Sequence, residues 1–540
     1  MTTTRTANPS LSGAGERYNA SLILDDNLAA GRGDKLAIRT ADGKDIAYAE
    51  LAARAARVGH LLRDLGVQPE QRVLLVLDDT PAFPACFLGA MRIGAVPVPV
   101  NPLDKAEHFR HYFRDSEAKV AIADASLMPA IVDARGDGTA VLIVANGEAE
   151  GAMPLEEAMA ELPRELDPHD THRDDPAFWL YSSGSTGLPK GVVHLHHDIA
   201  YTCETYAREI LQITEADVTY STTKLFHAYG LGNGLSFPYS VGATTVLASG
   251  RSSPARALEL VEKFKPTLFF SVPALYRGML DQPPADLSSV RMCVSAAEPL
   301  HPSIEERWEE RYGVPIVDGI GSTEMLHIYC SNRFGDVRRG TSGKPVRGYE
   351  MKLFDLDGNP VETGEPGQLF VRGDSCAAYY WRQHEKTKRC MVGEWFATGD
   401  RYRVDEDGYY VYEGRMDDML KVGGLWVSPT DMETALMQHP GVSEAVVIGV
   451  EVEEVSRIKA FVIPAEGEEA GDELADALRG WCKERLRRYE YPHLVEFVDE
   501  LPRTVTGKVQ RFKLREREGS RPRETGAQGV AGASGARTQG

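Results

Sequence analysis

Residues 178–196 read FWLYSSGSTGLPKGVVHLH. Their types and spacing suit the binding of a polyphosphate. Gly184 and Gly187 let the backbone turn its N–H groups inward. The hydroxyls of Ser182, Ser183, Ser185 and Thr186 add donors, and Lys190 adds a point charge. A Ser/Gly linker has a similar composition, but linkers do not usually sit between an apolar strand, FWLY, and a stretch such as VVHLHHDIAYT, which reads as a helix. The loop is not GxxxxGK[ST], because Lys190 follows Pro189 and precedes Gly191, and it is not GxGxxG. The ordinary NTPase, kinase and dinucleotide readings therefore lose their main support. A second lysine, Lys508, sits in RTVTGKVQR (503–511). Taken alone, a Thr-Gly-Lys turn reads as a solvated loop.

The surrounding elements indicate how such a loop is held. Short apolar runs recur at 72–79, 119–125, 140–146, 243–249, 267–273 and 290–298, rich in Val, Ile and Leu and bounded by Gly, Pro or Asp. Stretches between them, such as AYAELAARAARVGHLLRDLG, carry helical periodicity. The alternation predicts α/β layers with largely parallel strands. After about residue 345, Asp-Gly and Thr-Gly turns between short strands predict an antiparallel β region. Beyond 416, two apolar runs, a helix around 472–488 and a last strand LVEFV predict a small α+β unit. The expected division is a large domain at 17–415 and a smaller one at 416–515, with disordered ends at 1–16 and 516–540, where nothing apolar is available to bury.

The totals fit two or three domains, because 540 residues are too many for one core. Hydrophobic content of 42% and charged content of 26% are those of a globular chain. A net charge of -20 leaves no basic footprint for nucleic acid. The seven cysteines form no CxxC pair, which argues against zinc and a disulfide framework and for a reducing cytosol. The N-terminus lacks the apolar core of a secretory signal. No apolar run approaches the roughly 18 residues of a membrane span, so a cytoplasmic protein is expected.

YSSGSTGLPKG closely resembles the phosphate-loop signature of the adenylate-forming enzymes, the superfamily of acyl- and aryl-CoA synthetases, adenylation domains and luciferases. Three further stretches are similar to the family's later motifs and occur in its order: DGIGSTEM (318–325), TGDRYRVDEDGYYVYEGRMDDMLKVGG (398–424) and RTVTGKVQR. The resemblance spans about residues 20 to 515 and implies a carboxylate joined to the α-phosphate of ATP with release of pyrophosphate. Both reactants are anions, so such catalysis is mostly charge neutralisation and positioning.

Residue by residue, the resemblance assigns Glu324 to Mg²⁺, with Thr323 beside it in GSTE and Thr186 in the phosphate loop. It assigns Asp400 and Arg415 to the ribose or phosphate, and Ala297, Glu298, Asp318 and Gly319 to the adenine. Asp417 matches a hinge about which the C-terminal domain rotates between half-reactions. In one orientation Lys508 enters the site; in the other it leaves, and Lys421, Gly423 and Gly424 face the acceptor channel, Lys421 either on substrate oxygen or in solvent.

KLFHAYGLGNG (224–234) and STEMLHIYCSNR (322–333) resemble the benzoate-CoA ligase branch. By that likeness Ala228, Tyr229, Gly321, His327 and Ile328 line a flat aryl pocket. His327 either reaches a ring substituent or closes the pocket. His227 stands where this branch commonly has a second aromatic and where wider relatives have a gating histidine; a polar imidazole there weakens the case for plain benzoate over hydroxy- or aminobenzoates. The implied substrates are a small aromatic acid, ATP with Mg²⁺, and CoA. Two alternatives stand beside this reading. One is a ligase that loads a separate acyl carrier protein. The other is a non-catalytic nucleotide-binding module, which predicts decay at Lys508, Glu324 or Asp400, all of which are present.

Overall fold

A computed structural model describes residues 15–182, 188–355, 357–416, 420–422, 425–427, 429–452, 455–487, 490–503 and 509–519. Most of the two expected disordered ends lies outside the described residues. The chain forms two compact units, Met1–Glu350 with Val371–Phe396, and Met351–Phe370 with Ala397–Gly540. The fold is mixed α/β, as the alternation of runs predicts.

The first unit holds two large sheets. In one, strands Ile316–Gly321, Met292–Ser295, Leu268–Ser271, Val218–Ser221, Thr244–Leu247 and Leu36–Thr40 lie side by side in parallel, with short antiparallel strands at both margins. The other is parallel throughout: Val96–Pro99, Arg72–Val76, Val120–Asp124, Val141–Ala145 and Met153–Pro154. All six predicted apolar runs are strands of these sheets. They carry continuous Val, Ile and Leu because helices cover the sheets and bury them. Helices Pro254–Phe264, Pro273–Leu280 and Pro302–Tyr312 each begin at proline, whose fixed φ suits a first turn. Their apolar faces supply Val261, Met279 and Trp308 to one core against Phe269 and Ile316.

One expectation is corrected. VVHL is not the start of a helix. Lys190–Leu195 is a strand, antiparallel to Pro176–Ser182, with Trp179 opposite Val193 and Leu180 opposite Val192; the helix is only His196–Thr202. Two adjacent β-branched valines, both fully buried, favour the pleated pairing. The phosphate loop therefore joins two strands of a hairpin.

In the second unit, the strand ending at Val404 pairs antiparallel with Tyr410–Arg415. The Asp405 carboxylate closes the turn by accepting from the Asp407 and Tyr409 amides. The α+β part pairs Val442–Val452 with Val455–Pro464, adds Leu494–Phe497 in parallel, and packs helices Pro429–Met437 and Asp472–Arg485 against them through Leu436 and Leu478.

Candidate active site

Hairpin register places Lys190 opposite Ser182, at the two ends of the phosphate loop. Ser183, Gly184, Ser185, Thr186 and Gly187 lie outside the described residues. Lys190 Nζ donates to Glu324 Oε1 at 3.0 Å, although 134 residues separate them. The Tyr380 hydroxyl donates to the same oxygen at 2.8 Å, and the Lys190 ammonium lies 4.1 Å from the Tyr380 ring centroid. The Ala377 amide donates to the Glu324 carbonyl at 2.7 Å. Burial by itself pushes the Glu324 carboxyl up, but Lys190 and the Tyr380 hydroxyl outweigh it and hold the group below the usual glutamate range.

Glu324 is thus an ionised, fixed carboxylate, and among the described residues both hydrogen bonds to it fall on Oε1. Its Oε2 suits a hard divalent cation. Among the described residues no three His, Cys, Asp or Glu groups form a ready cage. A cation carried on ATP needs only one or two carboxylates, with phosphates and water completing its shell.

Toward the other end of the same segment lies the aromatic cluster. Gly321 pairs with Ile328 across antiparallel strands, and Leu326 between them is held at φ 65°. The His327 ring lies 5.5 Å from Tyr229, 5.0 Å from Tyr206 and 4.5 Å from Phe237. Ala228 and Tyr229 open the helix Ala228–Leu231 directly after His227. Of the five predicted aryl-pocket residues, Tyr229 and His327 are thus brought together, Gly321 pairs with Ile328, and Ala228 and Ile328 adjoin Tyr229 and His327 along the chain. Tyr229 is committed as a wall, since its hydroxyl donates to the Val294 carbonyl at 3.1 Å. His327 Nε2 faces Asn233 Oδ1 at 3.2 Å, and burial pushes its imidazole down to about 3 against a smaller upward pull from the Tyr229 backbone, so it is neutral near pH 7. Burial also brings His227 down to about 4, with Nε2 unpartnered among the described residues. The segment before it is pinned where Asp78 accepts from Lys224 Nζ at 2.9 Å and Asp79 from the Leu225 amide at 3.0 Å.

Gly321 is required by close approach. A Cβ there would stand 2.5 Å from the His327 carbonyl oxygen and 2.8 Å from the Ile328 amide, neither of which can swing away. Gly321→Ala is expected to cost about 1–3 kcal/mol of stability by overpacking. Urea unfolding checks this, and an unchanged midpoint would show that the strands part at no cost.

At the positions expected to line the adenine, Ser295 and Asp318 are register partners in parallel strands, and Ala297 follows at φ 79°. The residues expected to line the adenine thus lie at or just beyond the carboxyl ends of adjacent parallel strands, where open α/β sheets take ligands. Non-glycine residues in the left-handed region, here Ala297 and Leu326, cost of order 1–3 kcal/mol each and concentrate at functional sites. Burial pushes the Asp318 carboxyl well above the usual carboxylate range, with Glu305 adding to it. Gly319 packs against the Cys330 carbonyl, where a Cβ would come within 2.8 Å. Glu298 lies close by in sequence, just beyond the end of the strand Met292–Ser295.

In the second unit, Asp400 and Arg415 are cross-strand partners, with Arg415 Nη1 donating to Asp400 Oδ1 at 3.0 Å. Gly399, at φ 77°, leaves room for that guanidinium; a Cβ would stand 2.9 Å from Arg415 Nη2. The two predicted ribose residues are therefore one ion pair. Lys421 is in the strand Leu420–Val422. Asp417, Gly423, Gly424 and Lys508 lie outside the described residues. Sequence reasoning missed Tyr380, Ala377 and Asn233. The first two belong to the run AAYYW (377–381), which looks like an ordinary apolar strand, and Asn233 sits unremarked within GLGNG.

The sequence profile of the AMP-binding enzyme family matches residues 26–381, and that of the AMP-binding enzyme C-terminal domain matches residues 431–508. The chain belongs to the AMP-binding enzyme family, as its four ordered motifs predict. It is 47% identical over 509 residues to the benzoate–CoA ligase of Thauera aromatica, covering 93% of this chain and 96% of that one. It is 41% identical over 508 residues to the 4-hydroxybenzoate–CoA/benzoate–CoA ligase of Rhodopseudomonas palustris, covering 92% and 94%. A solved anthranilate CoA ligase, AuaEII in complex with anthranoyl-AMP, matches with a TM-score of 0.89 at 40% identity, over 95% of this chain and 99% of that one. Among the described residues no helix is long and apolar enough to cross a membrane.

Proposed function

We propose that this chain is an ATP-dependent aryl-CoA ligase acting on benzoate or a hydroxy- or aminobenzoate. The observation that carries this reading is the pairing of Gly321 with Ile328, which sets an aromatic-walled cluster a few residues from the lysine-bound Glu324. Tyr229 offers an aromatic face and Ile328 an apolar side chain, the kinds of wall that suit a flat ring. The neutral His327–Asn233 pair offers hydrogen-bonding capacity at one side of that cluster.

In the first half-reaction a carboxylate oxygen of the acid attacks the α-phosphorus of ATP and pyrophosphate leaves. In the second, the CoA thiolate attacks the acyl carbonyl and AMP leaves. Lys190 and Lys508 offset the charge of the two anions, and Glu324 holds Mg²⁺. When bound, the cation supplies charge neutralisation on the phosphates. Asp400 and Arg415 hold the ribose, with Ala297, Glu298, Asp318 and Gly319 around the adenine. Asp417 is the hinge on which 416–515 turns, delivering Lys508 for the first step only, while Lys421, Gly423 and Gly424 face the acceptor for the second.

A panel tests this: benzoate, hydroxy- and aminobenzoates, cinnamate and short fatty acids, each with ATP, Mg²⁺ and CoA. Aryl-CoA formation from benzoate or a substituted benzoate is expected. Turnover of fatty acids alone would sink the aryl pocket. Pyrophosphate release with no CoA ester would replace CoA by a carrier protein as acceptor.

A further inference from the structure

The run HLHHD (194–198) plays no part in the chemistry above, yet it is among the most buried polar stretches of the first unit: His194 and Asp198 are 0% exposed and His197 is 7% exposed. His194 joins Asp198 Oδ2 through Nδ1 at 2.7 Å and the Thr323 carbonyl through Nε2 at 2.8 Å. A carboxylate and a carbonyl only accept, so both ring nitrogens must face them as N–H donors, or the carboxyl must carry a proton.

His197 repeats the pattern. Its ring nitrogens face the carbonyls of Arg173 at 3.1 Å and Asp374 at 2.9 Å, and Nε2 is 3.3 Å from Asp198 Oδ1. The carboxylate also accepts from the Leu195 amide at 3.0 Å, which ties it to the hairpin strand carrying Lys190. The His194 ring stacks on Phe178, with centroids 5.2 Å apart.

The targets of these bonds have a common neighbour. Thr323 immediately precedes Glu324. Asp374 begins the segment whose Ala377 amide and Tyr380 hydroxyl hold Glu324, and the hairpin brings Lys190 to the same carboxylate. Both imidazoles and Asp198 Oδ2 are hydrogen-bonded, while Asp198 Oδ1 has no hydrogen bond among the described residues; a polar network held at that many points fixes the geometry of the backbone it ties together.

We propose that His194, held by Asp198, is a positioning residue that sets the Glu324 carboxylate for the metal carried on ATP. The proposal rests on the reading of Glu324 as the metal residue, but not on which acid is activated. Groups that hydrogen-bond a metal ligand directly typically change metal affinity by about 10–100-fold; His194 acts one link further out, through the Thr323 carbonyl, so the low end of that range is expected.

The test is direct binding of ATP to the full chain by isothermal titration calorimetry, with Mg²⁺ and again with EDTA. The readout is the gain in affinity that Mg²⁺ confers. Glu324→Gln is expected to abolish the gain. His194→Leu is expected to lose about tenfold of it, and His194→Gln, which keeps an N–H donor, to lose less, with metal-free affinity unchanged in both. A merely structural role would lower metal-free and magnesium-dependent binding together, and that result overturns the proposal, as does a gain left intact in His194→Leu. Should His194→Leu fail to fold, His194→Gln and Asp198→Asn carry the test: both are expected to reduce the gain, and an unchanged gain in both overturns it. An unmodified chain with no magnesium gain overturns the reading of Glu324 and this proposal with it; a gain that only the variants at 194 and 198 leave untouched overturns this proposal alone.

Discussion

Lys508→Ala is expected to slow benzoate-dependent pyrophosphate release by about a thousandfold, or roughly 4 kcal/mol of transition-state stabilisation, while transfer from supplied benzoyl-AMP to CoA stays within about threefold of the parent. The asymmetry is the informative part. A lysine that neutralises the meeting of a carboxylate with a phosphate is needed only while that charge develops. If 416–515 turns between steps, the same lysine is absent when the thiolate attacks. Rapid-quench measurement of the two half-reactions separates them. Equal loss in both would refute the domain rotation and make Lys508 an ordinary structural residue.

Lys190→Met is expected to be the next most damaging change, and its signature is in the pH dependence. Glu324 is buried, and burial alone favours its protonated form; Lys190 is the largest influence acting the other way. Methionine keeps an unbranched apolar stem over Tyr380 but removes the charge. The Glu324 carboxyl should then rise, and the acid limb of the adenylation profile should move to higher pH.

In the parent the carboxyl is depressed, so its contribution is present above the unfolded glutamate value and is lost only as pH falls through the lower folded value. In the variant the order reverses. An unpaired buried carboxylate costs about 3–5 kcal/mol at neutral pH, and the deficit shrinks as pH falls and the group protonates. Urea unfolding of both proteins across the acid range measures this. A deficit that stays constant with pH would show that Lys190 does not set the ionisation of Glu324.

The aryl cluster shows how far patterns reach. Ala228, Tyr229, His327 and Ile328 can be proposed from sequence because they sit in two contiguous runs, each with a recognisable likeness. Asn233 cannot, because its importance comes from facing His327, 94 residues away. Tyr380 was hidden for the same reason: its hydroxyl acts on Glu324, 56 residues earlier. VVHLHHDIAYT contains both a strand and a helix, and the change at His196 is set by what Val192 and Val193 pair with, which no local pattern shows. Helical and strand preferences of a few residues are weak beside such tertiary pairing.

By itself the sequence determined the class of chemistry, the order of the motifs, the parallel α/β layers and the smaller α+β part, because these depend on residue type and short-range period. Only the tertiary structure decided that Lys190, Tyr380 and the Ala377 amide meet on Glu324, that Asp400 and Arg415 form one pair across a hairpin, and that HLHHD ties the hairpin strand to the backbone before Glu324 and to the segment that holds its carboxylate. These contacts join residues that β-pairing and chain crossover bring together, over separations from 15 positions at Asp400 and Arg415 to 134 at Lys190 and Glu324, and no local spacing encodes a contact of 3 Å across such gaps.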